Sequence, residues 1–179
     1  MITVNGEQLE RARATLAGVD NGFAKAVRSA LNRSSEKFQT DSVRGTTSRY
    51  YIKASVLRAG MKRKYASLSN LEALLAVWGT RKPIGEYKLV PGVPTPGRKR
   101  QLKGAVRRTG LKSLGPAFFV GDKPFFQDPD RLRPIISPSI PQIVKNRNTV
   151  EEASKGATER FHKQLDHEIF RLITGAKRG

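Results

Sequence analysis

His162 and His167, the only two histidines in the chain, are the natural first candidates for metal ligation or proton transfer. They stand five positions apart in a stretch with helical patterning. At about 100° per residue they point roughly 140° apart, so one ion cannot be gripped by both as it is by an i,i+4 pair. Asp166 and Glu168 add carboxylates nearby but no convergent face. Asp122, Asp128 and Asp130 form an acid-rich stretch, but Pro124, Phe125, Phe126 and Pro129 interrupt it and the spacing is not that of a calcium loop. No serine sits in a G-x-S-x-G context, and no glycine-rich phosphate loop is present. Cysteine is absent, which excludes thiolate metal sites and disulfides. The expectation is a protein that is not an enzyme, with no catalytic residues, no metal and no cofactor.

The chemistry the sequence does offer is charge. Net charge is +19, from 34 basic and 15 acidic residues. From Ser42 to Leu71 there are seven bases and no acid: Arg44, Arg49, Lys53, Arg58, Lys62, Arg63 and Lys64. From Tyr87 to Gly121 there are eight and no acid: Lys88, Arg98, Lys99, Arg100, Lys103, Arg107, Arg108 and Lys112. The rest of the chain holds 19 bases against 15 acids, a balance of only +4. A solvated surface ordinarily mixes both signs, so such segregation points to a face that meets phosphate or a carboxylate-rich partner. The candidate contact residues are Arg98, Lys99, Arg100, Lys103, Arg107, Arg108, Lys62, Arg63 and Lys64. Tyr50, Tyr51 and Tyr65 lie among these bases, where aromatic rings can stack on nucleobases. The helical spacing of Tyr51 to Ile52 and Val56 instead assigns that ring to the core. No zinc finger, RNP-type strand or basic zipper occurs, so any DNA contact would read backbone charge rather than sequence.

These side chains need elements to carry them. Leu9, Ala12 and Leu16 fit a short first helix. Asp20 and Asn21 offer an N-cap to a longer one, with Phe23, Ala26, Val27, Ala30, Leu31, Ser34 and Phe38 in steps of three and four, closing near Gly45. Thr46, Thr47 or Ser48 can cap a third helix through Tyr51, Ile52, Val56 and Leu57, ended by Gly60. Short runs at 62–69, 73–78, 102–108, 117–120 and 123–126 fit strands of a small, mostly antiparallel sheet. VPGVPTPGRKR, at 90–100, excludes a helix interior or central strand and reads as an extended Pro/Gly-rich basic loop. Residues 133–147, beginning RPIISPSIP, read as an edge strand or extended arm entering the last helix. That helix starts at Asn148 or Thr149 and runs to about Thr174, with Val150, Ala153, Ala157, Phe161, Leu165, Ile169, Leu172 and Ile173 on one stripe; Gly156 is a weak point within it. Its near-balanced charge places it under the sheet, away from the basic surface. The fold class expected is α+β, a small sheet flanked by an N-terminal helix and a long C-terminal helix, all in one domain over 1–179. A hydrophobic fraction of 37% and 7% aromatics imply a thin core. No apolar run suffices to span a membrane, no signal peptide begins the chain, and an intracellular, soluble protein is expected.

The order of these features resembles the minor tail protein Z family of long-tailed phages, the tail completion proteins. The resemblance lies in ALNR at Ala30 to Arg33, YYIKASVLRAGMK at Tyr50 to Lys62 and the Gly/Pro-rich basic region. It continues through PAFFV at Pro116 to Val120, PSIPQIV at Pro138 to Val144, and IFRLITG at Ile169 to Gly175 in the terminal helix. It implies a virion structural protein at the head–tail junction or upper tail, present in the host cytoplasm during assembly. It implies a homo-oligomeric ring of about six copies under the tail's symmetry, or about twelve if it follows the portal. Other phage neck and tail proteins would be its partners, with non-specific contact to phage DNA and no membrane. The family supplies no catalytic residues. Two other readings come from the residues alone: a free, sequence-independent nucleic-acid-binding protein, and a basic surface that docks an acidic protein and never meets DNA.

Overall fold

The structure, a computed structural model, describes residues 6–92, 101–121, 123–128 and 131–176. Among the described residues five α-helices and ten short strands make the chain α+β, and it divides into two compact units.

The first unit is built from the chain up to Ser42, from Met61–Ala76 and from Arg147 onward. Helix α1 spans Gly6–Thr15, α2 spans Gly22–Arg49 and α5 spans Arg147–Ala176. Asn21 adopts φ 51° ahead of α2, and its carbonyl accepts the N–H of Lys25 at 2.9 Å, the first turn of the helix. The Asn21 amide itself donates to the Asp20 carboxylate at 3.1 Å. Ala26, Val27 and Ala30 of α2 meet Phe161 and Leu165 of α5, closed over by Ala12 and Leu16. The terminal helix therefore buries its stripe against α1 and α2, not beneath a sheet. Ser29 of α2 bonds Glu168 of α5, while Asp41 approaches Gly156, so α2 and α5 run antiparallel.

The small residues Ala30, Ala153, Gly156 and Ala157 allow that close approach. A Cβ on Gly156 would stand 2.7 Å from the Asp41 carboxylate, which Lys37 holds at 2.9 Å. In an unpacked helix alanine at this position would gain about 1 kcal/mol. Here the Asp41 carboxylate would have to turn aside, and the Lys37–Asp41 pair it risks contributes only about 0.3–0.5 kcal/mol, so Gly156→Ala is expected to raise the urea midpoint of unfolding slightly.

Strands β1 (Met61–Lys64) and β2 (Leu74–Val77) pair as a two-stranded ribbon. Asn32 of α2 grips the segment after β1 at both backbone groups of one residue: it accepts the Ala66 N–H at 2.7 Å and donates to the Ala66 carbonyl at 3.2 Å. Beyond that clamp Leu68, Leu71 and Leu74 stay exposed.

The second unit comprises Val43–Gly60 and Val77–Asn146. Helix α3 covers Ala54–Ala59 and α4 covers Ile140–Val144. The expected cap residues Thr46, Thr47 and Ser48 lie instead in the last turn of α2, which runs past Gly45. The Thr47 and Ser48 hydroxyls donate to carbonyls three residues back, and Thr46 is fully buried. Gly60 does end α3, but at φ −90° it needs no left-handed freedom; a Cβ there would meet the Trp78 carbonyl at 2.7 Å and Ile140 at 2.9 Å. Three small sheets complete the unit. β3 (Arg81–Pro83) pairs antiparallel with β10 (Ile136–Ser139). β4 (Lys88–Val90), β5 (Lys103–Ala105) and β6 (Lys112–Ser113) form a second sheet. β7 (Phe118–Val120), β8 (Lys123–Asp128) and β9 (Arg131–Pro134) form a third. Within residues 133–147, β10 lies against β3 as an edge strand, and α4 opens with the Ser139 N–H donating to the Gln142 side chain at 2.9 Å. The terminal helix begins at Arg147, which puts Asn148 and Thr149 inside its first turn rather than at its cap.

Candidate functional site

In the second unit the chain leaving α2 lies alongside the chain leaving β5. Tyr51 N–H donates to the Val106 carbonyl at 2.9 Å, Arg108 N–H donates to the Arg49 carbonyl at 2.9 Å, and Tyr50 bridges antiparallel to Arg107. This register sets two tyrosines beside two arginines. The Arg107 guanidinium lies 5.9 Å from the Tyr50 ring centre and that of Arg108 4.8 Å from Tyr51, with the Lys88 ammonium 5.4 Å from the same Tyr51 ring. Each such contact contributes about 0.5–1 kcal/mol at an exposed site. Tyr50 is the buried ring, accepting a bond from the Asn146 amide at 3.4 Å, while Tyr51 is half-exposed. The core assignment belongs to Tyr50, not Tyr51.

Two of the arginines also finish α2. Arg108 Nε donates to the Thr47 carbonyl at 2.9 Å, an acceptor that the helix end leaves open, and Arg49 adds a bond to the Gly45 carbonyl at 3.0 Å.

Beside this ladder lies a groove of about 830 Å³. Ile52, Val56, Leu89 and Pro124 give it apolar lining, while the exposed cations Lys53, Arg108 and Lys123 also border it; among the described residues Glu86 is the one acid in its lining. Tyr87, also on its wall, donates its hydroxyl to the Pro138 carbonyl at 2.7 Å. Burial pushes the Tyr87 phenol up to about 12, with Tyr50 and Glu86 adding to the shift, so the group remains a neutral donor across the physiological range.

The basic residues expected to make contact are distributed as follows. Arg107 and Arg108 belong to this ladder, and Lys103 is exposed on β5. Lys62, Arg63 and Lys64 lie on β1 in the other unit, where Arg63 pairs with Glu36 at 3.4 Å and stacks over Tyr65 at 5.1 Å. Arg98, Lys99 and Arg100 lie outside the described residues. Lys53, Lys88 and Lys123 were not singled out from the sequence, although Lys53 and Lys88 fall within its two acid-free stretches. Lys123 sits beyond both, and only the fold brings it to the groove.

In the first unit, Gln8 of α1 joins His162 to Asp166. Its side-chain oxygen bonds His162 Nδ1, and its amide donates to Asp166 at 2.8 Å. His162 is half-buried against the Phe161 ring edge rather than a free surface residue, and His167 is exposed. Among the described residues no group of three or more His, Cys, Asp or Glu side chains is arranged to hold a metal, and no helix is long and apolar enough to cross a membrane.

No protein-family model, curated protein or solved structure matches this chain.

Proposed function

We propose that this protein is a structural subunit that completes a phage tail and joins it to the head, assembling as a ring with its basic surface beside the DNA path. The observation that carries the proposal is the amount of apolar side chain left uncovered on strands and turns. Leu68, Leu71 and Leu74 in the first unit, and Trp78, Leu132 and Ile136 in the second, are all exposed. Side chains of this kind suit a subunit that completes its burial against neighbours in an assembly. The stacks of cation on ring in the second unit support it further, since they hold charge at the surface. The resemblance of the sequence to tail completion proteins supplies the biological setting.

Negative-stain imaging and light scattering of the purified protein test the proposal directly. A closed ring, and incorporation of the protein into tails that then join heads, is the expected result. A monomer that binds duplex DNA tightly at physiological salt would instead favour a free nucleic-acid-binding protein.

A further inference from the structure

We propose that the groove of the second unit docks an extended segment of a partner protein in which carboxylates alternate with apolar side chains, a site that rests on the assembly role proposed above. The lining decides between kinds of partner. Ile52, Val56, Leu89 and Pro124 offer apolar surface inside about 830 Å³, and a phosphodiester backbone has nothing to place there. Lys53, Arg108 and Lys123 border the same groove and favour anionic groups on a partner. Glu86, among them, repels a continuous polyanion more than a chain whose negative charges are spaced. A peptide that alternates acid and apolar residues satisfies all three conditions, because successive side chains of an extended strand point in opposite directions.

Two further features suit an extended occupant. Among the described residues β4 is the outer strand of its sheet, and Tyr87, Leu89 and Gly92 of that segment line the groove, so a sheet edge lies beside the groove for a peptide backbone to pair with. Arg108 is already oriented by the Tyr51 ring and the Thr47 carbonyl, which engages Nε alone. Its terminal N–H groups form a fork held in place before a carboxylate arrives.

Fluorescence anisotropy on the full chain tests this with three labelled probes of matched charge: a short peptide alternating Glu with Val, an oligoglutamate, and a single-stranded oligonucleotide. The alternating peptide is expected to bind at least about tenfold more tightly than either other probe, and Lys53→Glu with Lys123→Glu is expected to weaken it about tenfold or more. Both lysines are exposed, so the fold should survive; should circular dichroism show otherwise, the Lys53→Gln, Lys123→Gln pair replaces it. Lys62→Glu with Lys64→Glu, in the other unit, is expected to leave peptide binding unchanged. Equal binding of all three probes, preference for the oligonucleotide, no peptide binding, or indifference to the Lys53 and Lys123 substitutions would each overturn the proposal. The same preparations report ring formation by light scattering. Rings without peptide binding reject the groove alone, and peptide binding without rings rejects the assembly role alone.

Discussion

Phe161→Ala is expected to destabilise the protein by about 3–5 kcal/mol, a large fraction of the roughly 5–15 kcal/mol that holds a domain folded. Phe161 is 1% exposed and is the largest fully buried side chain of a core it shares with Ala12, Leu16, Ala26, Val27, Ala30 and Leu165, against which the partly buried Phe23, Leu31 and Ile169 also pack. Alanine neighbours have no rotamers with which to fill the space left by the ring, so the cavity stays open and its cost is added to the lost transfer energy. Phe170, on the same helix, provides the comparison. It is 69% exposed, and Phe170→Ala should change stability by no more than about 0.5 kcal/mol. Urea unfolding followed by helical circular dichroism separates the two. A small loss at Phe161, matching that at Phe170, would mean that α5 does not depend on this core.

The second large effect concerns Glu168, a carboxylate only 6% exposed on the buried side of α5. Burial pushes its carboxyl up, but bonds from Ser29 at 2.8 Å, Arg171 at 2.8 Å and Gln164 at 2.9 Å, with the Arg171 charge, together hold it below its ordinary value. Glu168→Ala strands the Ser29 hydroxyl and Gln164 amide and is expected to cost about 2–3 kcal/mol. The pH dependence has a definite sign. A carboxyl whose value is depressed in the folded state stabilises the protein while it is ionised in both states, and that contribution fades as pH falls below the ordinary value of about 4.5 toward the folded one. The stability gap between the native protein and Glu168→Ala should therefore be constant near neutrality and narrow in that acid window. A gap that widens on acidification would mean that Glu168 is held protonated by its burial.

The helices were legible because their stripes are long. Phe23, Ala26, Val27 and Ala30 in α2, and Ala153, Ala157, Phe161 and Leu165 in α5, repeat over enough turns for period alone to mark the buried face. The end of α2 was not legible. Thr46, Thr47 and Ser48 are residues that commonly cap helices, and only the structure shows the last two hydroxyls turned back onto the helix and the first enclosed. β3, β4, β6 and β9 read as RKP, KLV, KS and RLRP, too short to alternate; their pairing with partner strands, distant in the case of β3 with β10, makes them strands. The same is true of the groove. Nothing near Lys123 in sequence relates it to Lys53, and the stacking of Arg107 and Arg108 on the tyrosines follows from a backbone register that composition does not encode. Tyr50 and Tyr51 stand among bases in the sequence, but which ring faces inward depends on that register.

The arginines that finish α2 alter what the formal charge of +19 means for association. Binding to a polyanion draws much of its free energy from small ions released into bulk solvent, and the salt dependence counts the cations that actually displace them. Arg49 and Arg108 already donate to helix carbonyls, and Arg63 already faces a carboxylate. Their charge is partly answered within the chain before any partner arrives. The electrolyte dependence of binding should therefore track the exposed lysines more closely than the total count of basic residues.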